Sequence, residues 1–177
     1  MAECSLLRGW DPMEITNLEF EFATRYFEFS RVSRDYGTGA AYTLSEAHGV
    51  TYIEEHPGVT ASEMADAFGR TRSAASQTVK RLEALGLIVR QADSEDRKKS
   101  RLYVTEKGRE LSLAHKAYDI KNTAAFVRWM EKQFSESELD CFYRVLKMRT
   151  ERMRAVSGSG GSAAHRKGVQ AGNERKA

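Results

Sequence analysis

The feature that most constrains this chain is a close succession of helix starts and stops followed at once by two short strand-like segments, all within residues 60–108. Thr60-Ala61-Ser62-Glu63 has the spacing of a capping box, in which the first hydroxyl accepts an amide hydrogen and the carboxylate three residues on accepts one in return. It opens a short helix with Met64 and Phe68 on one face, ended by Gly69. Thr71 can cap a second helix over residues 72–85, which Gly86 stops, and the tight Gly69-Arg70-Thr71 connection makes the two a helix-turn-helix. Residues 87–91 (LIVRQ) are β-branched and apolar, and residues 101–105 (RLYVT) alternate with the period of a strand. The segment between them, ADSEDRKKS, is polar and densely charged. A hairpin with a charged tip directly after a helix-turn-helix predicts the winged variant: a mainly α fold with a small β-wing.

The flanks read as helices. Asp11-Pro12-Met13-Glu14 places an N-cap, a proline at the first helical position and an acid in the first turn. Ile15, Leu18, Phe22, Phe29, Val32 and Tyr36 then recur at helical spacing, which predicts one long helix to about Gly37. Phe20, Tyr26 and Phe27 widen its apolar surface beyond the needs of one core, so a partner helix from a second subunit is expected. A second capping box, Thr43 to Glu46, opens a helix that stops at His56-Pro57-Gly58. A long helix is expected from Thr105 to about Met130 with Leu111, Tyr118, Ala125, Phe126 and Trp129, and Ser135-Glu136-Ser137-Glu138 caps a last one with Leu139, Phe142, Val145 and Leu146. After about Val156 the sequence SGSGGSAAHRKGVQAGNERKA has the composition of a disordered tail. The organisation expected is an N-terminal dimerisation helix (1–40), a winged helix-turn-helix lobe (41–108), C-terminal dimerisation helices (109–156) and the tail (157–177).

Composition narrows the function. Net charge is only +3, but residues 1–59 hold ten acidic against four basic side chains and residues 60–109 eleven basic against seven acidic. The middle of the chain is therefore the part suited to an anion. Cys4 and Cys141 form no CxxC or Cys/His spacing, which argues against a disulfide framework or structural zinc and for a reducing compartment. Cys141, beside Phe142 on an amphipathic helix, reads as a small residue at least half-buried. No signal-peptide core and no apolar run of membrane-spanning length is present, so a cytoplasmic protein without a membrane partner is expected. Phosphate-cradling glycine loops, GxSxG and HExxH are all lacking, so the chain reads as no enzyme, with no cofactor and no metal. Its four histidines are scattered; His48 with Glu46, Glu54 and Glu55, set against His115, is the one combination a fold could assemble.

On a helical wheel for residues 72–85, Ala75, Val79 and Leu82 gather on one side, and Ser73, Gln77 and Lys80 on the other with Ser76 and Arg81 flanking. A slim, polar, cationic face suits entry into a major groove about 12 Å wide. Gln77 can pair with an adenine edge, Lys80 with guanine or phosphate, and the Ala74 methyl can meet a thymine methyl, while Arg72, at the helix start, suits a phosphate. Arg97, Lys98, Lys99 and Arg101 crowd the hairpin without a packing purpose, and cations there can reach a minor groove or its phosphates. Asp96 is better placed to pair with a neighbouring cation and fix the turn. A module for protein–protein assembly is the alternative; a Ser73/Gln77/Lys80 face, without aromatic or leucine anchors, speaks against it.

Residues 86–108, GLIVRQADSEDRKKSRLYVTEKG, resemble the wing of the MarR (multiple antibiotic resistance regulator) family, whose pattern is Asp-x-Arg, five residues, Leu-Thr, two residues, Gly. Asp96, Thr105 and Gly108 fall in register; Lys98 stands in place of arginine and Val104 in place of leucine, so either Arg97 or Lys98 supplies the wing-tip contact. TLSEAHGVTYIEEHPGVTASEMADAFG is similar to that family's second and third helices and SAASQTVKRLEALG to its recognition helix, so that the likeness covers about residues 43–111. The resemblance implies a homodimeric regulator whose terminal helices build a shared helical domain and whose lobes bind a pseudo-palindromic double-stranded DNA operator. It also implies response to a small aromatic or phenolic effector, with Phe22, Tyr26, Phe29, His48 and Tyr118 as the pocket candidates. In some members of that family an N-terminal thiolate senses peroxides, the role Cys4 would take with Arg8 nearby.

Overall fold

Helix α1 (Pro12–Arg31) starts as its sequence dictates: the Asp11 carboxylate accepts from the Met13 amide at 2.7 Å, and Pro12 takes a first-turn position where no amide is needed. The computed structural model describes residues 9–93, 96 and 99–170, the stretch 157–170 as backbone alone. The helix ends at Arg31, earlier than the apolar spacing suggested. The Arg34 guanidinium donates to the Phe29 carbonyl at 2.7 Å, and the Asp35 carboxylate draws in the amides of Gly37, Thr38 and Gly39 at 2.8–3.1 Å. Those bonds stabilise a turn in place of further helix. Strands β1 (Arg34–Asp35) and β2 (Ala41–Tyr42) pair antiparallel across that turn, and Tyr36 is buried from the loop.

Helix α2 (Leu44–Glu55) carries the complete capping box at Thr43 and Glu46. Helix α3 (Ala61–Ala67) and helix α4 (Arg72–Ala84) flank the expected turn, in which Gly69 takes φ +61° and the Thr71 hydroxyl accepts from the Ala74 amide at 3.2 Å. Strands β3 (Ile88–Ala92) and β4 (Ser100–Val104) form the wing, pairing from Ile88–Val104 to Ala92–Ser100, one residue from the expected bounds at each start. Helices α5 (Glu106–Met130) and α6 (Glu136–Gln170) complete the chain. Glu138 accepts from both the amide and the hydroxyl of Ser135, the reciprocal half of the predicted cap. Helix α6 runs past Val156, where composition suggested a tail.

The described residues divide into two compact units. One comprises the chain up to Ala61 with Ser76–Tyr118; the other comprises Ser62–Ala75 with the chain from Asp119 on. In the first, Ile53, Leu82, Leu87, Ile88, Leu102 and Leu111 are fully buried side chains. Each contributes roughly 1.5–3 kcal/mol relative to exposure. In the second, Met64, Ala65, Ala75, Met130 and Leu139 are buried. Helix α1 buries none of its residues, and Phe20, Phe22 and Phe27 are 60–74% exposed.

The base of the wing is closed by one tight approach. The Leu87 carbonyl accepts from the Thr105 amide at 3.0 Å, and the Thr105 hydroxyl donates to the Gly86 carbonyl at 2.7 Å and accepts from the Gly108 amide at 3.1 Å. A Cβ on Gly108 would run into the Leu87 carbonyl oxygen, which belongs to backbone and has no side-chain freedom to move away. Gly108→Ala is therefore expected to destabilise the protein by about 1–3 kcal/mol, the usual range for overpacking. A melting temperature equal to wild type in a thermal denaturation followed by circular dichroism would contradict this.

Candidate nucleic-acid interface

Helix α4 sorts its residues as its apolar spacing predicts. Ala75, Val79 and Leu82 are buried to 2% exposure or less, whereas Arg72, Ser73, Gln77 and Lys80 are exposed and Ser76 is half-buried. Gln77 and Lys80 lie one turn apart, as do Ser73 and Gln77. The exposed face is polar, carries no bulky apolar group, and ends in a lysine.

Several cations near this face are engaged within the protein. The Arg81 Nε donates to Glu46 on α2 at 2.9 Å. The Glu46 carboxyl is opposed by its own burial, yet the Thr43 amide and the Arg81 guanidinium hold it below its ordinary pKa of 4.5. Arg90 on β3 donates to Glu83 on α4 at 2.9 Å, and the Lys107 ammonium donates to the Leu85 carbonyl at 2.9 Å, next to the C-terminal end of α4. Arg101 donates to the carboxylate of Asp93 and, at 3.1 Å, to the Gly58 carbonyl. The expectation that Arg101 has no packing purpose is thereby corrected.

At the wing, Asp96 does what the sequence suggested: Lys99 donates its amide to the Asp96 carbonyl at 2.8 Å and brings its ammonium 3.6 Å from the Asp96 carboxylate. The Asp96 amide donates to Asp93 Oδ1 at 3.0 Å, and the Asp93 amide to the Lys99 carbonyl at 3.1 Å, which closes the tip. Lys99 is exposed. Arg97 and Lys98, the other expected wing contacts, lie outside the described residues, as does Cys4. Cys141 is exposed, contrary to expectation, because its position on α6 falls off the side that buries Leu139.

The five residues expected to line an effector pocket do not come together. Phe22, Tyr26 and Phe29 form an exposed row along α1, with ring centroids 6.1 and 6.3 Å apart. His48 and Tyr118 instead belong to a cluster about two residues the sequence did not single out for it. Tyr36 meets Tyr118 edge-on at 5.0 Å and His115 at 5.1 Å, and His48 meets His115 at 4.6 Å. His115 is 2% exposed, with Nδ1 3.2 Å from the Thr51 hydroxyl. The His48 and His115 imidazoles are thus brought together from α2 and α5, two nitrogen donors of the kind a divalent metal ion takes. The glutamates expected beside His48 are occupied elsewhere: Glu46 by Arg81, and Glu54 and Glu55 by Lys116 at 2.7 and 3.0 Å. No local signal in the sequence marks these pairs, since their members stand 35 residues apart for Glu46 with Arg81 and about sixty for the others.

A MarR family model matches residues 43–99. The chain is thus matched over the helix-turn-helix and the first strand of the wing. Its architecture is similar to that of the transcriptional regulator SlyA, at TM-score 0.64 and 21% identity over 82% of this chain and 97% of the other. It is likewise similar to Streptococcus pneumoniae FabT, solved in complex with DNA, at 0.64 and 21% over 82% and 99%, and to the zinc-responsive Lactococcus lactis ZitR at 0.58 and 17% over 78% and 99%. In a sequence comparison no curated protein matches this chain. No helix among the described residues is long and apolar enough to cross a membrane.

The α2 ties give stability a definite pH dependence. The Lys116 ammonium holds the Glu54 carboxyl below 4.5, and Glu54 and Glu55 raise Lys116 above 10.5. A depressed carboxyl contributes fully above its unfolded value and loses that contribution as pH falls through the folded one; a raised amine contributes fully below its unfolded value and loses it as pH rises through the folded one. Melting temperature should therefore fall below about pH 4.5 and again above about pH 10.5. Glu54→Gln should lower stability at pH 7 by about 0.5–1 kcal/mol and flatten the acid limb. An acid limb unchanged by that substitution in circular-dichroism melts from pH 3 to 7 would contradict the assignment.

Proposed function

We propose that this chain is a cytoplasmic, homodimeric, sequence-specific DNA-binding transcriptional regulator, a repressor that an effector releases, and not an enzyme. The observation that carries the reading is the α4 face of Ser73, Gln77 and Lys80, exposed opposite a buried Ala75/Val79/Leu82 side and followed at once by a charged β-wing. Arg72, Ser73, Ser76, Gln77 and Lys80 are assigned to the major groove and its phosphates, and Arg97, Lys98 and Lys99 to the wing contact. SlyA is described as a transcriptional regulator, and FabT was solved with DNA, which supports the same role here. The exposed aromatic face of α1 supports a helical dimerisation region built from residues 1–40 and 109–156, as does that of Phe126, Trp129, Phe142 and Leu146 on α5 and α6. Two lobes related by a two-fold axis then read a pseudo-palindromic operator with half-sites about one turn apart.

For the effector, a small aromatic or phenolic compound is supported by the ring cluster of Tyr36, His48, His115 and Tyr118. A divalent metal is the second reading, favoured by the adjoining imidazoles of His48 and His115, and ZitR offers a zinc-responsive precedent of the same fold. Either acts only through different affinities for the DNA-competent and incompetent states.

On a duplex that the wild-type protein selects from a random-sequence pool, Gln77→Ala with Lys80→Ala should cost about 1–3 kcal/mol of binding without lowering the melting temperature. Unchanged affinity in fluorescence anisotropy would defeat the DNA assignment and favour a protein-assembly role. Light scattering should give a dimer at micromolar concentration, and a monomer there would defeat the shared-helix arrangement.

A further inference from the structure

The wing carries an internal clamp built from two charged residues and a loop carbonyl. Asp93 follows β3 directly and is only 7% exposed. Its Oδ1 accepts from the Asp96 amide at the tip, and its Oδ2 accepts from Nε of Arg101 on β4. The other arm of the same guanidinium, Nη1, reaches the Gly58 carbonyl at 3.1 Å, in the loop between α2 and α3. Backbone bonds run alongside: Gly58 donates to the Leu102 carbonyl at 2.9 Å, and Leu102 donates to the Val59 carbonyl at 2.9 Å. Gly58 is in the left-handed region at φ +86°, and a Cβ there would press on Tyr103 at 3.2 Å, with the Arg101 side chain next at 3.8 Å. Arg101 thus spans from the wing tip to the segment that leads into the helix-turn-helix.

We propose that Arg101 is a positioning residue for DNA binding and not a phosphate ligand, and that with Asp93 it fixes the pitch of the wing against residues 58–59. The proposal rests on the DNA-binding reading above. A planar guanidinium can serve Asp93 through Nε and Gly58 through Nη1 at once; a lysine ammonium at the same position keeps the charge but not this two-armed geometry. Asp93 in turn is a buried carboxylate, costly to leave without its cation, so the two residues hold each other in place. The exposed wing cation Lys99 is then offered to DNA from a base set in advance.

The two roles predict opposite behaviour. As a clamp, Arg101→Lys should weaken binding to the selected duplex as much as Arg101→Ala, roughly tenfold for the loss of one hydrogen-bonded ion pair. The slope of log affinity against log salt should stay at the wild-type value. As a phosphate ligand, Arg101→Lys should bind nearly as wild type and Arg101→Ala should reduce the slope by about 0.9. Asp93→Asn separates them further: removing a negative charge near the interface should tighten binding by electrostatics alone, whereas loss of the clamp should weaken it. Hydrogen exchange reads the clamp without DNA. The amides of Gly58, Asp96 and Leu102 should exchange faster in Asp93→Asn and Arg101→Lys while the α2 amides keep their protection. Wild-type exchange at those three positions, or tighter binding by Asp93→Asn, would overturn the proposal. Failure of the wild-type protein to select any duplex would overturn the DNA-binding reading instead, and the exchange result would still decide whether the clamp exists.

Discussion

Strand β4 is the element on which the lobe depends, and Leu102 is its centre. The side chain is fully buried, and the residue pairs with Arg90 of β3 on one edge while exchanging two backbone bonds with Gly58 and Val59 on the other. A two-stranded hairpin in water is marginal, whereas a third partner and an apolar face make it part of a core. Those bonds tie the hairpin to the loop that precedes the helix-turn-helix. Thr105 and Gly108 then close its base on Leu87, so the wing is anchored at both the loop and the root.

This anchoring consumes charge. Residues 60–109 hold eleven basic side chains, but Arg81, Arg90 and Arg101 are paired with Glu46, Glu83 and Asp93, and Lys107 bonds the Leu85 carbonyl. Among the described residues the outward cations of the reading are Arg72, Lys80 and Lys99, the last with its ammonium 3.6 Å from Asp96. The excess of basic residues therefore overstates how many phosphates one lobe can neutralise. On the proposed DNA-binding reading the physical consequence is a salt dependence of a few counterions per lobe, with specificity left to the short polar face of α4.

Local chemistry made much of this legible. Asp11, Thr43 with Glu46, Thr71, and Ser135 with Glu138 all cap helices where the spacing of donor and acceptor is three residues or fewer, and the α4 wheel needed only a period of 3.6. The β1–β2 hairpin escaped because strands of two residues carry no periodicity, and the bonds of Arg34 and Asp35 that end α1 involve residue types equally at home in a helix. The site was half legible: the α4 face could be read from composition and period, but the engagement of Arg101 could not, since Asp93 is eight residues away and Gly58 forty-three. The same holds for His48 with His115 and Glu54 with Lys116, which only the packing of α2 against α5 brings together.

The unresolved demand of the structure is apolar. Helix α1 has twenty residues and buries none, yet Leu18, Phe22, Tyr26 and Phe29 are each more than half exposed, although the helix is well capped at its start and tied at its end. Capping and intrahelical bonds account for its existence as a helix but not for a surface that leaves so many aromatic rings in water. Monomeric proteins rarely carry contiguous patches of that kind, which is why the proposed homodimer sets a helix from a second copy against it, and with it the second lobe that the proposed two-fold operator requires. On this view the acidic, aromatic start of the chain and its basic middle are two halves of one device: the first sets the distance between lobes, and the second converts that distance into affinity for DNA.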